Sequence, residues 1–179
     1  RRFVARRVAE MPNDPHGMEL LVAALAECKS DDQQRDILDG VLTGLEGTRS
    51  AKMPQQWTAT YANLRKSANP SVREMALRLA LIFNDAAAIQ SLIELTKDTH
   101  AGNIDRQRAI EALVAKRVNG FDTQLLALTR DEATRRPALR GLAQYNHPDT
   151  VATILEVYTQ ADDAARQDAL QTLAARPAW

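Results

Sequence analysis

Apolar residues recur at three- and four-residue intervals along nearly the whole chain, and the strict alternation of a half-buried strand is absent. The periodic stretches are separated by short polar segments that carry helix start signals. Asp14 and Pro15 pair an N-cap with proline at the first helical position, and Met18, Leu21, Val22 and Leu25 then share one face. Ser30 caps the next helix, whose stripe is Ile37, Leu38, Val41, Leu42 and Leu45. Pro54 starts another, with Trp57, Tyr61 and Leu64 on it. Asn69 and Pro70 repeat the cap-plus-proline device ahead of Val72, Met75, Ala76, Leu79, Ala80 and Phe83. Asp85 opens a helix with Ile89, Leu92 and Ile93, and Asn103 opens one with Ile110, Leu113 and Val114. A short helix covers 121–130. Asp131 or Thr134 caps the next, through Leu139 and Leu142; a cap at Thr134 leaves Pro137 in the first turn, where proline is tolerated. Pro148 or Asp149 opens a helix with Val151, Ile154, Leu155 and Tyr158. Asp162 opens the last, through Ala169, Leu170 and Leu173. With a leading helix before Asp14, the pattern predicts eleven helices joined by short turns.

The helices repeat. Arg73, Ala76, Leu77 and Ala80 have the same spacing as Arg106, Ala109, Ile110 and Leu113. Arg135, Ala138, Leu139 and Leu142 follow, then Arg166, Ala169, Leu170 and Leu173, at offsets of 33, 29 and 31 residues. Degenerate copies lie at Arg35, Leu38 and Val41 and at Arg2, Ala5 and Val8. Each copy falls in the second helix of a pair. A period of about 30–40 residues with two helices per unit is the signature of an α-solenoid. One pair cannot bury both of its apolar faces; stacked pairs bury a continuous seam. In that seam the alanine permits close approach and each buried leucine contributes about 1.5–3 kcal/mol.

The Arg-x-x-Ala-Leu copies, with the segments 69–73 and 83–93, resemble HEAT repeats. The resemblance implies an all-α, right-handed superhelix of about five HEAT-like helix pairs plus one leading helix. It spans residues 1–179 as a single domain, with the arginine-bearing second helices lining one face. The chain's opening, Arg1 to Arg7, and its close, Leu173 to Trp179, also resemble the repeat region of large exported bacterial proteins. In those, a sugar-dehydrogenase-type propeller precedes the repeats and a cytochrome c domain follows. This second resemblance implies a middle segment of a longer exported or periplasmic protein, whose oxidoreductase chemistry lies in the flanking domains. The single cysteine, Cys28, is followed by Lys29 and Ser30 and is not a haem-attachment motif, so no cofactor is assigned to any residue of this chain.

Composition agrees with helices and narrows the partners. Alanine and leucine make up 51 of 179 residues, while glycine and proline together number 14, a helix-former bias. Lysine and arginine total 23 and aspartate and glutamate 23, for a formal charge of zero. A dedicated nucleic-acid binder carries a basic excess or run, and neither is present. The longest apolar run, Leu20 to Ala26, is far short of the roughly 20 residues of a membrane span. No secretory leader opens the chain and it begins without methionine, which reads as a cut from a longer protein.

Candidate chemistry is sparse. His16, His100 and His147 sit at helix starts or turns in different repeats, without the spacing of a helical metal site. Cys28 lacks a positioned histidine and reads as structural. Asp31, Asp32, Asp162 and Asp163 occupy first turns, where carboxylates offset the helix dipole. Arg73, Arg106, Arg135 and Arg166 admit two readings. Stacked in register they form a basic ladder that grips phosphates or acidic peptides; alternatively, each bonds to a carboxylate or to helix-end carbonyls and ties the stack together, with Asp98, Asp131 and Asp163 at hand. Trp57 and Tyr61, one turn apart, are either core packing or an aromatic anchor for a partner.

These features favour a non-catalytic interaction module, scaffold or spacer whose partner is another protein or a flanking domain. The alternative is a HEAT-like enzyme, such as a DNA glycosylase for alkylated bases, or a bilin lyase, by analogy of fold. The isolated chain is expected to be monomeric, with weak self-association through its uncapped first helix left open.

Overall fold

The structure, a computed structural model, describes residues 1–11 and 15–175, which form eleven α-helices and no strand. They are α1 (Arg2–Ala9), α2 (Pro15–Glu27), α3 (Asp31–Gly44), α4 (Trp57–Leu64), α5 (Pro70–Ile82) and α6 (Ala86–Lys97). Then follow α7 (Asn103–Lys116), α8 (Phe121–Leu128), α9 (Glu132–Leu142), α10 (Thr150–Tyr158) and α11 (Asp163–Ala174).

Five of the expected caps form as side-chain hydrogen bonds. Ser30 Oγ accepts from Gln33 N–H, and Asn69 Oδ1 from Ser71 N–H ahead of Pro70. Asp85 Oδ1 accepts from Ala87 and Ala88 N–H, Asp131 Oδ1 from Ala133 N–H, and Asp162 Oδ1 from Ala165 N–H. Each satisfies donors that the first turn leaves without intrahelical partners. The Asp14 cap lies outside the described residues.

One start differs from expectation. Pro54 does not open α4; residues 55 and 56 form a turn, Trp57 N–H donates to Pro54 C=O, and the helix begins at Trp57. Asn103 opens α7 as its first helical residue, with Gly102 as the cap. Of the two caps the sequence offers for α9, Asp131 takes the place, and Pro137 therefore falls in the second turn, inside the helix, and not in the first.

The chain divides into two compact units, residues 1–88 and 89–179. In the first, α1 packs on α3 and α3 on α5, while α2 lies beside α3 and α4. Its core holds Leu38, Trp57, Val72, Ala76, Leu79 and Ala80. In the second, α7 packs on α9 and α9 on α11, with α8 against α9 and α10 against α11. Its fully buried side chains include Ile110, Leu113, Phe121, Leu125, Leu139, Leu142 and Ile154. Within each unit, alternate helices therefore stack on one another. The alanine of the repeat is buried in every copy that has one: Ala5, Ala76, Ala109, Ala138 and Ala169.

Two expected stripe residues face outward: Leu155 on α10 and Leu170 on α11 are exposed, and α11 instead buries Ala165, Asp168, Ala169 and Thr172. Buried threonines are a second departure from an all-aliphatic seam. Thr96, Thr129, Thr134 and Thr172 are buried with their hydroxyls donating to Ile93, Leu126, Leu128 and Leu139 C=O. The hydroxyl is satisfied by backbone, so its burial is inexpensive.

The contact of α1 with α3 depends on two glycines. A Cβ on Gly40 would lie 2.8 Å from Ala5 Cβ and 3.0 Å from Arg6 N; on Gly44 it would lie 2.7 Å from Ala9 Cβ and from Arg6 C=O. Glycines one turn apart on α3 thus receive alanines one turn apart on α1, and an Arg2–Asp39 ion pair closes the same junction. Gly40→Val is expected to destabilise the first unit by about 1–3 kcal/mol and to strip amide-exchange protection from α1 before α5. An unchanged urea midpoint with α1 still protected contradicts that close contact.

Candidate interaction surface

The four repeated arginines all turn back onto the end of the helix that precedes them. Arg73 Nη1 donates to Ser67 C=O at 2.6 Å and Ala68 C=O at 3.0 Å, just beyond α4. Arg106 donates from Nε and Nη2 to Thr96 C=O, both at 3.1 Å, in the last turn of α6. Arg135 reaches Thr129 C=O at 3.0 Å and Arg130 C=O at 3.4 Å, after α8. Arg166 Nε reaches Tyr158 C=O at 3.3 Å, at the end of α10, and its guanidinium lies 5.7 Å from the centre of the Tyr158 ring. The last four carbonyls of a helix lack intrahelical donors and sit at the negative end of its dipole. A guanidinium, with five N–H groups and a permanent charge, satisfies both.

The four are not equally placed. Arg106 is 3 % exposed and also bonds Asp131 Oδ2 at 2.5 Å, whereas Arg73 is exposed and Arg135 and Arg166 are half-buried. Asp131 caps α9 with one oxygen and receives Arg106 with the other. Burial is the largest single influence on its carboxyl and opposes ionisation. The hydrogen bonds from Arg106 and Ala133, together with the charges of Arg106 and Arg135, outweigh it and hold the pKa below the ordinary aspartate value. Asp163 lies 3.5 Å from Arg166. Asp98, the third acid at hand, accepts from His100 N–H instead.

Further polar ties join neighbouring second helices in the second unit. Arg136 and Arg140 of α9 both bond Asp168 of α11, at 2.8 and 3.3 Å, and Arg140 lies 3.8 Å from Glu111 of α7. Thr172 of α11 donates to Leu139 C=O of α9 at 2.9 Å. Gln107 has a more specific task. Pro137 has no N–H to give to the carbonyl four residues before it, that of Ala133. Gln107 Nε2 on α7 donates to that carbonyl at 2.8 Å. The defect proline makes in α9 is thereby filled from the neighbouring helix.

The aromatic pair does not stand on the surface. Trp57 is 0 % exposed, stacked on Tyr61 at 5.7 Å and edge-on to Phe83 at 4.9 Å. Tyr61 is half-buried, and its pKa is raised, by burial first and then by the charge of Asp85. Trp57 and the ladder arginines thus occupy different places: the indole in the core of the first unit, the guanidinia at helix ends. Tyr145, which the sequence does not single out, donates to Leu113 C=O at 3.4 Å, and burial pushes its pKa up to about 12.

The remaining candidates are dispersed. His147 Nδ1 accepts from Asp149 N–H within a turn, and His16 lies in the first turn of α2. Among the described residues no group of three or more His, Cys, Asp or Glu side chains is placed to hold a metal ion. Cys28 donates to Ala24 C=O at 3.2 Å, and burial pushes its thiol up, the opposite of an activated nucleophile. Two clefts lie in the first unit. One of about 510 Å³ is lined by Ala9, Met11, Met18, Leu45, Met53 and Pro54, and one of about 350 Å³ by residues that include Asp39, Leu42 and Arg78. Neither includes a ladder arginine. In comparisons with known proteins, no family model, no curated protein and no solved structure matches the chain.

The Gln107–Pro137 arrangement makes a quantitative expectation. Gln107→Leu leaves the Ala133 carbonyl without its donor and is expected to lower stability by about 1–3 kcal/mol. In a Pro137→Ala background the restored N–H of residue 137 takes that carbonyl, and the same Gln107→Leu change is expected to cost under about 1 kcal/mol. Urea denaturation of the four proteins of this cycle measures the coupling. Equal costs in both backgrounds contradict the compensation.

Proposed function

We propose that the chain is a non-catalytic protein-interaction or scaffold module, built as an α-solenoid of about five HEAT-like helix pairs plus a leading helix with right-handed superhelical sense. The observation that carries this reading is the common fate of the repeated arginines: in all four copies the guanidinium is bonded to backbone carbonyls, in the last turn of the preceding helix for Arg106 and Arg166 and in the turn just after it for Arg73 and Arg135. Groups committed in this way orient helices; they are not held out for a phosphate. The stacking of alternate helices within each unit supports the same layered design.

The exposed side chains on the second helices also favour a protein partner. Glu111, Arg136 and Arg140 on α7 and α9 alternate in sign and are partly exposed, with Arg108 beside them. A mixed-charge face suits the polar rim of a protein interface. A polyanion instead requires phosphate neutralisation by a surplus of cations. In a longer protein, such a module would hold flanking domains or a separate partner at fixed spacing.

The alternative, a DNA glycosylase-like enzyme, needs an accessible aromatic residue among free basic groups. The burial of Trp57 and the commitment of the arginines weigh against it. A fluorescence titration with double-stranded DNA at low salt separates the two readings. The proposal predicts no saturable binding. Binding that weakens linearly in log affinity against log salt, with a slope of several phosphates, overturns it in favour of the nucleic-acid reading.

A further inference from the structure

The turn between α7 and α8 sets a side-chain amide beside a backbone amide that nothing engages. α7 ends in a left-handed residue, Arg117 at φ 53°, and Val118 N–H closes that end on Leu113 C=O at 3.2 Å. Asn119 and Gly120 follow, both exposed, and Phe121 N–H donates back to Val118 C=O at 3.3 Å. Gly120 stands at φ 75° as the cap of α8, and no side chain caps that helix. Among the described residues, neither the Asn119 side chain nor Gly120 N–H makes a hydrogen bond. The space over Gly120 is open: a Cβ there would meet nothing within 4 Å.

Asparagine is one of the thermolabile side chains. The nitrogen of the residue after it can close a five-membered ring on the side-chain carbonyl carbon. Two things obstruct that closure: a side chain on the following residue, and an N–H held in a hydrogen bond. Gly120 presents neither, and without a Cβ its backbone bends toward the ring at little steric cost. Asn119 is the one asparagine of seven that glycine follows. Asn69 precedes Pro70, which has no N–H. Asn84 donates Nδ2 to Ser50 Oγ at 2.6 Å, and the amide after it, Asp85 N–H, is bonded to Ala80 C=O. The acidic counterpart, Asp39–Gly40, lies inside α3, where the helix ladder holds Gly40 N–H and Arg2 pairs with the carboxylate.

We propose that Asn119 is a site of spontaneous covalent modification, converted to aspartyl and isoaspartyl forms through a cyclic imide with Gly120. Gly120 N gives its proton to solvent and bonds to Asn119 Cγ. The Cγ–Nδ2 bond breaks, and Nδ2 takes up a proton and leaves as ammonia. Water then opens the ring. Addition at Cγ breaks its new bond to Gly120 N and leaves aspartate at position 119 in an ordinary main chain. Addition at the main-chain carbonyl carbon breaks the original peptide link instead, and the chain then runs through Cγ, one carbon longer. Either product carries a carboxylate where the amide was neutral, so a chain of formal charge zero gains one negative charge. That charge stands one residue ahead of the cap of α8, at the positive end of the helix dipole. The isoaspartyl form lengthens the turn that sets α8 against α9, where Phe121 and Leu125 are buried. The chemistry is independent of what the module binds.

Timed incubation of the folded chain at physiological pH and temperature tests the proposal, read by isoelectric focusing and by peptide mapping with mass spectrometry. Asn119→Gln is the control: glutamine keeps the amide but must close a six-membered ring, which is far slower. The replaced side chain is exposed and unbonded, so the variant is expected to keep the wild-type helical signal and melting midpoint. The wild type is expected to develop a band shifted by one negative charge, with the change confined to the peptide that holds Asn119. That peptide is also expected to accept methyl groups from S-adenosylmethionine when an isoaspartyl carboxyl methyltransferase is added, which reports the lengthened main chain. The variant is expected to show neither change over the same period. A wild type that keeps the Asn119 amide throughout, one in which another asparagine converts first, or an acidic band that grows equally in Asn119→Gln overturns the proposal.

Discussion

A guanidinium that reaches back to the end of the preceding helix is the interaction on which the helix pairs depend. Two antiparallel helices joined by a few residues share an apolar face, but that face alone fixes their mutual angle poorly, because burial is non-directional. The bond from Arg106 to Thr96 C=O, made twice by one side chain, is directional. It ties the first turn of α7 to the last turn of α6, where the carbonyls have no other helical donors. Arg166 does the same for its own pair, and Arg73 and Arg135 bond the turn that follows the preceding helix; Arg106 is the most enclosed of the four. Substitution by lysine would keep the charge and lose the fork, so only arginine can hold both the carbonyl and Asp131 at the Arg106 position.

Once each pair is set, the second helices meet through small residues and polar ties. The repeated alanines and the Gly40–Gly44 pair let backbones come close, and close backbones bring carbonyls within reach of neighbouring side chains. Thr172 to Leu139 C=O and Gln107 to Ala133 C=O are two such reaches. Asp168 shows the same economy with charge: a buried carboxylate is tolerable because two arginines from the adjacent helix converge on it. The equality of 23 basic and 23 acidic residues is partly a consequence of these local pairings.

Much of this was legible in the sequence, and the limits have physical causes. Helix number and caps at Ser30, Asn69, Asp85, Asp131 and Asp162 follow from local chemistry, since a cap is a bond over two or three residues. The error at Pro54 has the same origin: proline suits a turn as well as a first helical position, and nothing local tells them apart. Pro137 was misplaced because its tolerance inside α9 comes from Gln107, a residue thirty positions away in sequence. Leu155 and Leu170 keep the helical period yet are exposed, because period marks a face and not what covers it. For Trp57 and Tyr61 core packing was the default reading and a partner anchor the alternative, and tertiary packing buries the indole against Phe83. The Gly40–Gly44 contact and the buried threonines carried no period at all; small residues signal close approach only once the partner helix is known. The arginine positions and the kinds of partner, helix-end carbonyls and nearby carboxylates, were visible in the sequence; which carbonyl each arginine takes was not, because every residue carries one.

The most direct measurement is hydrogen exchange at arginine Nε–H groups by NMR, with Arg106 compared against exposed Arg108 on the same helix. Donation to Thr96 C=O in a buried setting predicts a resolved Arg106 Nε–H that exchanges orders of magnitude more slowly than that of Arg108. It also predicts that Asp131→Asn leaves most of this protection in place, since the carbonyl bond remains. An Arg106 Nε–H that exchanges as fast as that of Arg108 contradicts the account at its base.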